Sequence, residues 1–290
     1  MGELQLVKQL KDRPALRRSF DALAQSTFGI SFEAWHAAGW WGGRYIPYAL
    51  ADGDAVVANV SVNRMDFLWQ GRRRRYIQLG TVMTARDRRG QGLARRLLTE
   101  VLRDWQGRCD GIYLFANQTV LGFYPRFGFE RAAEYQYSLP LAPGPGGARL
   151  LDTDIPQGRA ELLRCYQLGN PFARLGWAEN PGLLMFYCGG PLRGCVYALP
   201  ALGAVAVADT SGPELLCYDV FGGQGHTLAQ VLAALAQPHT QSAVLGFTPR
   251  DSEGGVPGPA GGDDDALFIL TGGENLFSAH RAMFPLLTHA

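Results

Sequence analysis

The sequence predicts an α+β protein of two successive domains, each a mixed, twisted sheet flanked by helices in three layers. Three observations carry that prediction. A strand, a glycine-bearing turn and an amphipathic helix follow one another over residues 79–101. Antiparallel hairpins precede them, turning at Asp52-Gly53 and Gln70-Gly71. A proline- and glycine-rich run, PLAPGPGG over 140–147, separates this pattern from a second α+β pattern. With 290 residues the chain has room for two domains, 1–140 and 148–290.

In chain order, a helix is expected over 13–25, followed by the aromatic block FGISFEAWHAAGWW at 28–41. Strands follow at 44–50 and 55–63, the latter alternating Val56, Ala58, Val60 and Val62 with a half-polar face. Arg72, Arg73, Arg74 and Arg75 then form a four-arginine run, read as a solvated loop at a hairpin tip because no wider basic patch surrounds it. Residues 76–84, rich in Ile, Leu, Val and Thr, form a strand. The next helix begins near Gln91 and carries Leu93, Ala94, Leu97, Leu98, Val101, Leu102 and Trp105 at helical spacing. Strands at 112–115 and 135–139 complete the first domain. In the second, helices are expected at 157–168 and 226–236, and strands at 183–188, 195–199, 204–208, 215–221, 241–247 and 266–270. The glycine-, proline- and acid-rich stretch 248–265 reads as a mobile surface loop.

The helix start near Gln91 is unusual in its charge. Helix N-termini carry partial positive charge and normally gather acidic or hydroxyl residues. This one gathers Arg86, Arg88, Arg89, Arg95 and Arg96, an arrangement that suits a bound anion. Gly90 and Gly92 let backbone N–H groups approach that anion closely. A P-loop is excluded because no Lys follows either glycine, and a dinucleotide turn because Arg95 stands where a third Gly or Ala is needed.

The pattern Arg89-Gly90-Gln91-Gly92-Leu93-Ala94 resembles the acetyl-CoA signature of the GNAT superfamily of N-acetyltransferases. A second motif agrees with it: residues 111–129, GIYLFANQTVLGFYPRFGF, are similar to the F-Y-x-x-x-G-F block that closes a GNAT domain. The resemblance implies the acyl-CoA N-acyltransferase fold with acetyl-CoA as co-substrate. It implies that Val82, Met83 and Thr84 offer backbone groups beside the cofactor and that Arg88, Arg89, Gly90, Gln91, Gly92, Leu93 and Ala94 hold the pyrophosphate. It further places Asn117 on the pantetheine arm, Phe123 beside the cofactor unless it is simple core, and Tyr124 as proton donor to the leaving thiolate.

In GNAT proteins the region matching the aromatic block walls the acceptor pocket, which makes Phe32, Trp35, His36, Trp40 and Trp41 candidate substrate residues; anchoring a loop to the sheet explains them equally well. Candidate bases are Glu33, His36, Asp66, Glu134 and the terminal carboxylate of Ala290. The second domain echoes the first, with Gly223-Gln224-Gly225 opening LAQVLAALA but without the arginines or a second F-Y-x-x-x-G-F block. It reads as a degenerate GNAT-like domain that shapes the acceptor pocket, forms a homo-oligomer contact or stabilises the first. The tandem resembles the two-domain core of the enhanced-intracellular-survival type acetyltransferases, with no room for their third domain. The expected activity is N-acetylation of a small-molecule or peptide amine; the alternative is a non-catalytic CoA-binding or scaffolding protein on the same fold.

Composition agrees. A net charge of +1, from 27 basic and 26 acidic residues, argues against a general nucleic-acid binder. The five cysteines, Cys109, Cys165, Cys188, Cys195 and Cys217, are scattered without metal-ligand spacing, so no metal and a reduced, cytoplasmic setting are expected. No segment reads as a signal peptide or membrane span, and Leu6 stands where a myristoylation signal at Gly2 wants Ser or Thr.

Overall fold

The computed structural model describes residues 3–251, 254–260 and 265–289. In order, its first half comprises β1 (Gln5–Lys8), α1 (Pro14–Phe28), α2 (Glu33–Ala37), β2 (Tyr45–Asp52), β3 (Ala55–Trp69), β4 (Arg72–Thr84), α3 (Leu93–Trp105), β5 (Gly111–Ala116), β6 (Phe129–Arg131) and β7 (Tyr135–Pro140). The second half comprises β8 (Arg149–Leu150), α4 (Pro156–Leu168), β9 (Leu175–Ala178), α5 (Pro181–Cys188), β10 (Val196–Leu199), β11 (Ala204–Asp209), β12 (Glu214–Gly222), α6 (Leu228–Leu235), β13 (Ser242–Leu245), β14 (Val256–Pro259) and β15 (Ala266–Leu270).

Local chemistry accounts for the main elements. Helix α1 starts with Pro14, whose fixed φ suits a first turn, and stops at Gly29 in the left-handed conformation. Helix α3 buries Leu93, Leu97, Leu98 and Val101 along one stripe against the first sheet. Residues 183–188, read from sequence as a strand, belong to α5 instead. Their apolar run fits either state, but the Asn180 side chain accepts from Leu183 N and Pro181 occupies the first turn, which commits the segment to helix. Within 248–265, expected as a loop, β14 pairs with β7 from Val256↔Ser138 to Pro259↔Tyr135.

The arginine run is also a strand. Arg72–Arg75 pair in register with Asp66–Trp69 on β3. Arg73 meets Glu179, Arg74 meets Glu274 and Arg75 approaches Asp66, so these cations are spent on carboxylates of the protein itself, two of them from the second half.

The two sheets repeat one order. The first runs β1-β2-β3-β4-β5-β15-β6 and the second β8-β10-β11-β12-β13-β7-β14, read from the other end. Each contains one parallel pair, β4/β5 or β12/β13, bridged by a helix, with antiparallel pairs elsewhere along the path. The two halves exchange strands: β15, from the C-terminal half, lies between β5 and β6, and β7, from the N-terminal half, lies between β13 and β14. The proline-rich linker therefore does not separate the sheets. Strand β9 binds the halves further by pairing with β3 over Asp66–Trp69, beyond the end of β2. One hydrophobic core joins Phe67, Tyr76 and Tyr113 of the first half to Trp177, Phe221 and Phe284 of the second, with Phe284 stacked on Tyr113 at 3.8 Å between ring centroids.

Two predictions follow from this interlocking. A fragment of residues 1–147 lacks β15, so β5 and β6 are left without their common partner. It should show no cooperative thermal transition alone and should recover one when co-expressed with residues 148–290. The second concerns Glu134, beside the exchange, whose buried carboxyl accepts from Phe284 N at 2.7 Å and is pushed up by burial to about 8. A carboxyl with a raised native pKa binds more protons folded than unfolded between about 4.5 and 8, so its contribution to stability falls as pH rises through that window. Glu134→Gln should therefore gain stability relative to the parent at pH 8 and lose that gain at pH 4.5, measured by urea denaturation at both pH values.

Candidate functional site

Strand β4 pairs with β5 for four rungs, from Tyr76↔Gly111 to Leu79↔Leu114, and then parts from it. It continues along β3 to Thr84, but with a bulge: Gly80 faces Ser61 and Met83 faces Asn59, leaving Thr81 and Val82 opposite Val60 alone. Thr81 has φ of 48°, unusual for a β-branched residue. The bulge is held by Asn59 Nδ2, which donates to Thr81 O at 2.9 Å, and by the hydroxyls of Tyr45 and Thr81, 2.9 Å apart. Past Leu79, the β4 edge that faces β5 has no ladder partner among the described residues, and a slot opens between the two strands.

The arginine-glycine turn lies beyond the end of β4. Gly90 and Gly92 have φ of 76° and 73°, which a side chain would resist. Gly92 caps α3 without any side-chain hydrogen bond, so the first-turn N–H groups of Leu93, Ala94 and Arg95 have no partner among the described residues. The arginines differ in their engagements. Arg88 is tied to Asp52 at 2.8 Å and Arg96 to Leu4 O, whereas Arg89 is exposed and, among the described residues, hydrogen-bonds only Thr84 O at 3.4 Å. Gln91 lies exposed in the turn. Val82 packs at the edge of the core that holds Leu93, and Met83 is buried on the opposite side of the sheet against Phe32 and Trp41.

The second motif follows β5. Asn117 caps a short turn, its Oδ1 accepting from Thr119 N and Thr119 Oγ1. Phe123 packs at the core margin, 5.2 Å from the Tyr124 ring. Tyr124 is buried against Phe129 and Phe268, and burial alone pushes its phenol up to about 12.

A cavity of about 1090 Å³ lies between the aromatic block and α5 of the second half. Phe32, Trp35 and Trp40 line it, with Tyr45 and Thr81 from the first sheet and Phe186, Tyr187 and His289 from the second half. Trp35 Nε1 donates to Gly182 O at 2.7 Å, and a side chain at Gly182 would strike Trp40 O, so the two walls meet as closely as glycine allows. His289 stacks on Phe115 at 3.8 Å, just past the last β4/β5 rung, and burial lowers its pKa to about 4. Thr81 and His289 thus bring the cavity to the slot between the strands.

His36 and Trp41 do not line the cavity. His36 faces Arg17, and Trp41 is buried with Nε1 toward Tyr45 O at 3.3 Å. Glu33 is paired with Arg17, Asp66 with Arg44, and Glu134 with Phe284 N; none of the three borders the cavity. Ala290 lies outside the described residues. Sequence reasoning missed the contribution of α5, although Asn180-Pro181 is a helix-start signature that was there to be read.

Comparison with known proteins agrees with this geometry. Residues 23–132 match the family described as the acetyltransferase (GNAT) domain. No curated protein matches the sequence. Among solved structures, a probable N-acyltransferase from Enterococcus faecalis V583 superposes with a TM-score of 0.64 at 13% identity, covering 92% of this chain and 72% of that one. A GCN5-related N-acetyltransferase from Kribbella flavida gives 0.58 at 17% identity, covering 92% and 70%, and Eis1 from Mycobacterium abscessus gives 0.54 at 18%, covering 91% and 72%. The parted strands, the arginine-glycine turn and the family match coincide on one segment: residues 23–132 match the acetyltransferase (GNAT) domain, and most of the chain shares its fold with these three structures.

Proposed function

We propose that this protein transfers an acetyl group from acetyl-CoA to a primary amine of a small molecule or peptide, by direct attack of the amine on the thioester. The observation that carries the reading is the uncapped start of α3 beside exposed Arg89, at the end of a strand that parts from its neighbour. An anion there gains N–H donors, the helix dipole and a guanidinium together. Arg89, Gly90, Gln91, Gly92, Leu93 and Ala94 hold the pyrophosphate, and Arg88 braces the turn through Asp52. The pantetheine arm lies in the slot along Val82, Met83 and Thr84, with Asn117 and Phe123 across from them. A backbone N–H of the β4 edge polarises the thioester carbonyl as it becomes tetrahedral.

Tyr124 gives its proton to the departing thiolate. With its pKa raised to about 12 it remains protonated throughout the physiological range and is a competent donor. The carboxylates that line the cavity, Asp154 and Glu179, are paired with Arg193 and with Arg44 and Arg73. His289, with its pKa lowered to about 4, is neutral and weakly basic at pH 7. With no free carboxylate or basic imidazole lining the cavity among the described residues, the amine in this reading reaches the thioester as the free base.

This assignment is tested by free-thiol release from acetyl-CoA with an amine panel. Tyr124→Phe should lower kcat by about 10²–10⁴-fold and leave the KM for acetyl-CoA nearly unchanged. Arg89→Glu should abolish the rise in melting temperature that CoA produces in the parent. CoA binding without thiol release across the panel would instead indicate a non-catalytic CoA-binding protein. The pH profile offers a separate check: kcat/KM should rise with pH to the pKa of the amine itself and show no fall attributable to Tyr124 below about pH 11.

A further inference from the structure

We infer that the acceptor is a primary amine carried on an apolar, aromatic-sized body with a single positive charge, and not a polycation. The inference rests on the acetyl-transfer reading and concerns what the cavity selects.

The lining is aromatic from both halves. Phe32 stacks on Phe186 at 5.7 Å with 27° between the rings, and Trp35 meets Phe186 edge-on at 5.7 Å. This apolar surface continues outward. Phe28 and Ile30, which border the cavity, are 44% and 40% exposed, the exposed lip expected of a site that receives apolar groups.

Charge argues in the same direction. Two arginines and two carboxylates border the cavity: Arg44, Arg159, Asp154 and Glu179. Glu179 already bridges Arg44 and Arg73, and Asp154 is engaged by Arg193. Arg159 is turned to the carbonyls of Thr153 and Asp154 and has no carboxylate partner among the described residues. Each further ammonium group would sit beside the guanidinium groups of Arg44 and Arg159 while both lining carboxylates are already paired, so a second charge gains less here than an apolar body does. A monoamine meets no such penalty, because its nitrogen enters as the free base and its body replaces water on the rings.

The experiment measures kcat/KM by thiol release for straight-chain alkylamines, phenethylamine, tryptamine, an apolar dipeptide and kanamycin. Among the alkylamines each added methylene should raise kcat/KM by about threefold to fourfold, and phenethylamine and tryptamine should exceed kanamycin by at least about tenfold, consistent with the loss of one desolvated charge pairing. Preference for the dipeptide over the free amines would identify peptide N-termini as the source of the same chemistry. Phe186→Ala should raise the KM for tryptamine about tenfold while the melting-temperature shift given by acetyl-CoA persists, which shows that the variant is folded and its cofactor site intact. Kanamycin turned over as well as or better than the aryl amines, or no dependence on chain length, overturns the inference and leaves acetyl transfer standing. No thiol release with any amine overturns both.

Discussion

Parallel pairing between β4 and β5 lasts four rungs, and the site depends on its ending there. Had it continued, the β4 edge past Leu79 would be consumed by the ladder, and neither the slot nor its junction with the cavity would exist. The bulge at Thr81–Val82 is what turns the strand aside. A threonine at positive φ costs on the order of 1–3 kcal/mol, while hydrogen bonds such as those from Tyr45 and Asn59 contribute roughly 0.5–1.5 kcal/mol each. Two such bonds offset most of the strain, so the bulge persists only because buried polar groups from β2 and β3 grip it. Ser61, whose hydroxyl donates to Tyr45 and accepts from Asn59, fixes both of them.

The second constraint is that the cavity has one wall in each half. Its shape is only as fixed as the relation of those halves. The ion pair of Arg73 with Glu179 is solvent-exposed and screened, and adds little to holding the halves together. Burial of a ring such as Phe284 on Tyr113 is worth roughly 3–5 kcal/mol against its removal. Apolar contacts and exchanged strands therefore hold the halves together, and the arginine run sets only the alignment of β9 and the segment at Glu274. This gives physical content to the second half: α5 brings Phe186 and Tyr187 to face Phe32 and Trp35.

Much of the first half was legible from local rules. The hairpin at Asp52-Gly53, the stripe of α3 and the glycines of its turn are specified by neighbours a few residues apart. What could not be read depends on long-range pairing. No local sequence pattern tells β7 to leave its own sheet for β13, or β15 to enter between β5 and β6. Residues 183–188 failed for a different reason: a short, wholly apolar run has no period, and only the flanking Asn180-Pro181 distinguishes helix from strand. The aromatic block divided because burial is not encoded by residue type. Trp35 and Trp40 border the cavity while Trp41, next in sequence, is core. The arginine run misled because its partners Glu179 and Glu274 lie more than a hundred residues away.

The two halves also show how one strand order can present different helix starts. In each, a strand leads through a glycine turn to a helix and back to a parallel strand. At α6 the turn ends in Thr227, which accepts from Gln230 N while the Gln230 side chain accepts from Thr227 N, a reciprocal capping box. The helix start is thereby satisfied by its own chain, and no guanidinium stands in its Gly223-Gln224-Gly225 turn. At α3 the cap is a glycine with no side chain to donate or accept, and arginines flank it. A self-capped helix gains little from an anion, whereas an uncapped one among cations is relieved by it. The duplication thus resolves into a division of labour. The first half keeps an open, cationic helix start, and the second spends the equivalent hydrogen bonds internally and contributes its short helix α5 to the cavity wall.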